Sequence, residues 1–331
     1  MWRALAVGGR ARARGAFASR SQRSVGFLRN QSTTRTLANR GMASRSARRP
    51  SHAGSWYSAE STELSGQLNG WLEECQVCTG PARAIIAPHA GYSYSGPTAA
   101  WAYTHVDATN IKRVFLLGPS HNMYTPKCLL SSCSAYAAPN GSIPIDGAVY
   151  NELAATGSFD EMTREVDEQE HSLEMHVPYI VQIMGKATYT LVPIMVGALS
   201  EADEARYGQL LAPYLADPQN FFVISSDFCH WGARFRFTYH DPRHGGEIYQ
   251  SIEALDKQGM QLIEAQDAKG FAAYQREFGN TICGRHPIAV LLHALQACPR
   301  KHELKFVRYA TSSQCRRPDD SSVSYASAVV Y

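Results

Sequence analysis

The fold is read from residues 83–92, Arg83-Ala-Ile-Ile-Ala-Pro-His89-Ala-Gly91-Tyr92. An apolar run of strand length ends abruptly at a histidine, with a proline before it and a small residue and a glycine after it. Two further stretches repeat the arrangement. Arg113-Val-Phe-Leu-Leu117 runs into Gly118-Pro-Ser-His121, and Asn220-Phe-Phe-Val-Ile224 runs into Ser225-Ser-Asp227-Phe-Cys-His230-Trp-Gly232. A fourth run, Leu191-Val-Pro-Ile-Met-Val196, stops at Gly197 without a histidine. Runs with so little polar alternation belong to strands covered on both faces, and the helical patterns at about 147–156, 171–185 and 202–216 read as crossovers between them. The expected fold is α/β, a mostly parallel central sheet with helices on both faces. Ligands of such sheets bind beyond the carboxyl ends of the strands. His89, His121 and His230, far apart in sequence, are therefore expected at one edge. A single histidine near a strand end is more often a hydrogen-bonded structural residue, whereas three at equivalent positions point to a shared site.

A fourth component comes from Thr281-Ile-Cys283-Gly-Arg285-His286-Pro287, followed by Ile288, Leu291, Leu292 and Leu295 at helical spacing. Cys283 is thus expected just before a helix N-terminus beside Arg285 and His286, a setting that lowers a thiol pKa. Two imidazoles and a thiolate can hold zinc, iron or copper and leave one coordination position open. The alternative for Cys283 is a buried, inert thiol. The acidic segment Asp167-Glu-Gln-Glu170-His171-Ser-Leu-Glu174-Met-His176 is not the HExxH zinc signature. Most of its carboxylates are read as complementing a helix N-terminus, with His171 or His176 available to line the pocket.

Charge divides the chain. Residues 1–50 carry twelve arginines and no Lys, Asp or Glu, while residues 51–331 carry 20 Lys+Arg against 29 Asp+Glu, a formal −9 hidden within the overall +3. The acidic body argues against a nucleic-acid surface. The basic stretch, residues 1–50, has the composition of a mitochondrial transit peptide, and Met42 is the alternative start that would leave residues 1–41 out. Residues 51–331 are expected to form a single domain. No apolar stretch reaches membrane-spanning length, and neither a Walker loop nor GxGxxG is present, so no nucleotide is expected. The eight scattered cysteines imply free thiols and a reducing compartment, and the spacing Cys75-x-x-Cys78 reads as two thiols at a helix end.

Ser51-His-Ala-Gly-Ser-Trp-Tyr57, Ala87-Pro-His-Ala-Gly-Tyr92, Gly118-Pro-Ser-His121, Ser225-Ser-Asp-Phe-Cys-His-Trp231 and Ile282-Cys-Gly-Arg-His-Pro287, in this order, resemble the Memo family. Its members are mediators of receptor-tyrosine-kinase-driven cell motility. The resemblance covers Ser51 to Tyr331. It implies a fold similar to class III extradiol dioxygenases, which hold Fe(II) with two histidines and a glutamate. In that alignment of motifs His89 and His121 match the histidine ligands, Cys283 takes the place of the glutamate, and His230 falls where the dioxygenases keep their general base, with Asp227 orienting it. Thiolate in place of carboxylate softens the site toward copper or zinc and away from ring cleavage.

The resemblance further implies a copper- or iron-binding protein of redox signalling, a phosphotyrosine-peptide partner, and a cytoplasmic or nuclear location, or a mitochondrial one if the tail is a transit peptide. Trp56 and Tyr94 would wall the pocket, with Arg285 as a further substrate- or peptide-binding residue. Three functions compete: a metal-dependent redox protein, a non-catalytic peptide-binding module using the same pocket, and a zinc hydrolase with His230 as base.

Overall fold

The computed structural model describes residues 46–75 and 81–331, so most of the expected basic tail and Cys78 of the CxxC pair lie outside it. Its strands are β1 (Ala84–Ala87), β2 (Arg113–Pro119), β3 (Cys128–Ser131), β4 (Ala135–Ala138), β5 (Gly141–Pro144), β6 (Phe159–Met162), β7 (Thr190–Val196), β8 (Asn220–Ser225), β9 (His230–Trp231), β10 (Leu304–Thr311) and β11 (Ser322–Val330). The helices are α1 (Ser61–Glu73), α2 (Tyr92–Tyr103), α3 (Gly147–Ala155), α4 (Arg164–Gln169), α5 (His171–Glu174), α6 (Val177–Met184), α7 (Glu201–Ala216), α8 (Ile248–Glu264), α9 (Ala268–Phe278) and α10 (Arg285–Ala297).

The main sheet has the order β10-β11-β1-β8-β2-β7-β3-β6, with β9 added to β11. Its centre, β1-β8-β2-β7, is parallel throughout, as the uninterrupted apolar runs imply. Antiparallel pairs flank that centre: β11 against β1, β10 against β11, and β3 against β7. Sequence periodicity does not single out these flanking strands, several of which are short or half exposed.

Successive residues of β2 face opposite layers. Val114 lies beside Tyr103, Ile180 and Met184 of α2 and α6, whereas the Phe115 ring stacks on Phe222 and meets Tyr214 of α7. Helices therefore cover both faces, and the sheet centre is solvent-free, with Val114, Phe115, Leu116 and Leu117 no more than 1% exposed. Burying one such side chain contributes about 1.5–3 kcal/mol.

Two expectations change in detail. The helix expected over 171–185 is broken at Met175–His176 into α5 and α6, and Pro178 sits in the first turn of the second piece. Arg48 and Arg49, assigned by composition to the basic tail, belong to the packed structure: Arg48 is fully buried against Asp167 and Glu174, and Arg49 pairs with Glu168.

Candidate metal centre

Register places the histidine loops side by side. Ala87 pairs with Ser225 across β1 and β8, and Leu117 with Ile224 across β2 and β8. His89 therefore leaves its strand opposite Ser225 and Asp227. Its backbone N–H donates to Asp227 Oδ1 at 2.8 Å, and its ring Nδ1 lies 2.6 Å from Ser225 Oγ. Ser225 gives its own hydroxyl proton to the Ser172 carbonyl at 2.7 Å. It can then only accept from the imidazole, so His89 carries its proton on Nδ1 and presents the Nε2 lone pair. That atom is 3.2 Å from Cys283 Sγ. Burial, and then the neighbouring His121, push the His89 pKa well down, which keeps the ring neutral.

His121 is held in the same way by a different group. Glu170 accepts the His121 backbone N–H at 2.6 Å and ring Nδ1–H at 2.8 Å, and also the Ser172 N–H at 3.0 Å. The His121 Nε2 edge is left toward Cys283. Burial opposes charge on both members of this pair, but it is outweighed: Cys283 and then Glu170 lift His121, and His121 lowers Glu170. A carboxylate that takes the distal N–H of an imidazole is the usual device for orienting a metal-ligating histidine.

The third group arrives from the start of α10. Cys283 Sγ accepts the Asp227 N–H at 3.2 Å. Gly284 is required for this approach, since a Cβ there would collide with the Ser226 side chain and the Ser225 carbonyl. The thiol does not behave as sequence suggested. Burial raises its pKa despite the adjacent helix start and His121, so without a metal it is held toward the neutral thiol.

Together His89, His121 and Cys283 bring two imidazole nitrogens and one sulfur within 4.8 Å of one another. His89 presents a lone pair, and the His121 Nε2 proton and the Cys283 thiol proton are ones that a bound cation would displace; two imidazoles and a thiolate fit a soft or borderline ion with a position left open. A second grouping, His121, Glu170 and His171, shares its first member with this one. His171 stacks on His121 with ring centroids 4.4 Å apart and lies 4.5 Å from Trp56, and burial followed by the His121 charge lowers its pKa to about 4. His176 is elsewhere, buried with Nδ1 on the Tyr103 hydroxyl at 2.8 Å.

Two expected roles need correction. His230 is oriented by Thr281, not by Asp227: its Nδ1 faces the Thr281 carbonyl at 3.0 Å, and its backbone N–H donates to Thr281 Oγ1. Because a carbonyl can only accept, Nε2 is the free nitrogen. Asp227 instead anchors the His89 loop, and its pKa is raised by burial. Arg285 also departs from expectation. Trp56 and Tyr94 line one hollow of about 590 Å³ together with Arg234, whereas Arg285 lines another with Glu204 and His286.

The Memo-like protein family model matches residues 48–329. The chain belongs to the Memo family. It is 52% identical to human Protein MEMO1 over 288 residues, covering 86% of this chain and 97% of that protein. Identity to Protein MEMO1 of Xenopus laevis is 53% over 295 residues, 87% and 99% of the two chains. The Protein memo-1 homolog of Caenorhabditis elegans is 46% identical over 288 residues, 86% and 82% of the two chains. Among solved structures, the uncharacterized protein JW3007 of Escherichia coli K12 superposes with a TM-score of 0.43 at 13% identity, over 73% of this chain and 98% of that one, a likeness too loose to argue from.

In this Memo-family chain, sequence reading does not point to Ser225, Thr281, Glu170 or Arg48 as site-building residues. Glu170 lies 49 positions from the histidine that it orients, and no local spacing marks that pairing. The acidic segment was expected to serve a helix N-terminus. Glu170 does so, capping the start of α5 by accepting the Ser172 N–H, whereas Glu174 accepts from Arg48, His52 and Tyr57, and Asp167 from Arg48, Ser131 and Tyr136.

Proposed function

We propose that the chain is a metal-binding protein that holds copper or iron, with zinc accepted by the same donors, on His89 Nε2, His121 Nε2 and Cys283 Sγ. The observation that carries this reading is the fixed direction of both rings: Ser225 and Glu170 each accept the Nδ1–H of a histidine, and this turns the Nε2 edges of His89 and His121 toward one sulfur. Bound there, the ion supplies Lewis acidity and, for copper or iron, one-electron chemistry. The chain's own groups exclude bulk water around His89, and His230 Nε2 is free to carry a proton. Thiolate in place of a carboxylate ligand favours redox handling or metal storage over ring cleavage. A role in redox and motility signalling, in the cytoplasm or nucleus, is consistent with the family.

The test is elemental analysis of the full chain after anaerobic loading with Cu(I), Fe(II) or Zn(II) and desalting. Near-stoichiometric metal in wild type that is lost in His121→Ala and Cys283→Ser supports the reading. Wild type that retains none of the three abandons it.

A second reading is favoured by the hollow beside the cluster. Trp56 and Tyr94 offer aromatic faces there, Arg234 offers a guanidinium, and Ser312, Ser313 and Ser321 offer hydroxyls. This chemistry suits a phosphotyrosine side chain. Calorimetry with a phosphotyrosine peptide on metal-free and metal-loaded protein separates the two readings, because peptide docking alone predicts equal affinity in both.

A further inference from the structure

We infer that Arg48 is a positioning residue for the metal centre, acting on His121 through Glu170. This rests on the metal-binding reading above.

Helix α4 ends at Gln169, and the last carbonyls of a helix have no partner within it. Arg48 supplies one. Its Nη2 donates to the carbonyls of Asp167 at 2.9 Å and Glu170 at 2.8 Å, and its Nε donates to Asp167 Oδ1 at 3.0 Å. Its Nη1 donates to Glu174 Oε2 at 2.6 Å. Glu174 is the last residue of α5. One planar group thus clamps the end of α4 and the end of α5, and the corner that joins these helices is Glu170, followed by His171 as the first residue of α5. From that corner the Glu170 carboxylate reaches the backbone and ring N–H groups of His121, and His171 reaches the His121 ring. Moving the corner moves the group that fixes the direction of a ligand and accepts its Nδ1–H. The fork geometry matters: a lysine ammonium in the same place keeps the charge but cannot span two carbonyls and two carboxylates lying in different directions. Arg48 is fully buried, so solvent does not replace these bonds.

The experiment titrates full-length protein anaerobically with Co(II). Its d–d bands report ligand geometry, and its thiolate charge-transfer band reports Cys283. Arg48→Lys is expected to bind roughly tenfold more weakly than wild type, with altered d–d bands and the charge-transfer band kept. In a Glu170→Gln background the same Arg48→Lys change is expected to add less than about twofold, because the route through Glu170 is already cut. A purely structural role lowers the melting temperature of Arg48→Lys but leaves Co(II) affinity and d–d bands as in wild type, and that result overturns the inference. If Arg48→Lys does not fold, Asp167→Asn, which loosens the Nε side of the clamp, is measured instead. A smaller change in the same direction is expected, and wild-type binding again overturns the inference. Wild-type protein that takes up no Co(II) sinks the metal reading and this inference together, whereas a binding wild type beside an equally binding variant sinks this inference alone.

Discussion

The two sides of the histidine–cysteine cluster are held by opposite electrostatic means. On the His121 side, buried carboxylates face cations or imidazoles: Glu170 faces His121, Glu174 faces Arg48 and His52, and Glu168 faces Arg49 and Arg164. On the Cys283 side, besides Asp227 at the cluster and Glu204 facing His286, Asp256 is buried with only neutral partners, the Asn280 amide, the Cys229 N–H and the Tyr309 hydroxyl. The pKa values follow. Hydrogen bonds from Arg49 lead in drawing Glu168 down to about 2, and Glu174 is lowered against its burial by His52 and Arg48. Burial of Asp256, which has no countercharge, pushes it up to about 6. The same dry interior thus favours charge on one side and neutrality on the other, according to whether an opposite charge is built in. Asp167 marks the boundary, since burial raises its pKa even with Arg48 in contact.

Removing the cation from the first side gives the largest expected effect. Arg48→Met leaves Asp167 and Glu174 buried without their guanidinium, and breaking such a pair on one side costs about 3–5 kcal/mol. Urea denaturation at neutral pH measures it. The loss is expected to shrink in acid as the stranded carboxylates take up protons. A variant within about 1 kcal/mol of wild type would falsify the contrast drawn above, because it would mean that the charged side is no more dependent on its ion pairs than the neutral side.

Neutralising the second side should instead remove a pH dependence. Asp256 has a folded pKa of about 6 against the ordinary 3.8 of an aspartate. The folded state therefore binds its proton more tightly, and the ionised group disfavours folding. That penalty is absent below the unfolded value, grows as pH rises toward 6, and is complete above it, reaching on the order of 3 kcal/mol. Glu168 and Glu174 run the other way, their stabilisation being present above the unfolded value and lost as pH falls through the lowered folded pKa. Asp256→Asn should gain about 1–1.5 kcal/mol on wild type between pH 5 and pH 7.5. Paired denaturation curves at the two pH values decide this, and parallel behaviour of the two proteins would remove the claim that Asp256 is a carboxyl buried without a countercharge.

The difference between the two sides also explains what was legible in the sequence. The parallel centre of the sheet was readable because burial on both faces leaves uninterrupted apolar runs, and three of those runs end at His89, His121 and His230. Cys283 was readable from the Pro287 helix start that follows it. Their supports were not. Ser225 acts through a proton that it has already given to the Ser172 carbonyl, and Thr281 acts through its backbone carbonyl, an atom that every residue possesses. Arg48 was hidden by its neighbours, since one arginine among twelve in a basic stretch carries no mark of burial. Strands β10 and β11 escaped because partial exposure or serine content breaks the apolar pattern by which strands are recognised.

Arg285 gives the smallest expected effect. Sequence places it two residues from Cys283, and proximity along the chain suggested a substrate- or peptide-binding role. At the start of a helix, however, residues two apart point in different directions. Cys283 turns toward His89 and Asp227, while Arg285 is exposed in the hollow formed with α7 and α9. Arg285→Ala should therefore leave stability within about 0.5 kcal/mol of wild type, with retained metal and peptide affinity unchanged. Metal analysis and peptide calorimetry on this single variant test whether the cluster is bounded at Cys283. A severalfold loss in either would extend the site through the first turn of α10 and join the two hollows that the structure keeps apart.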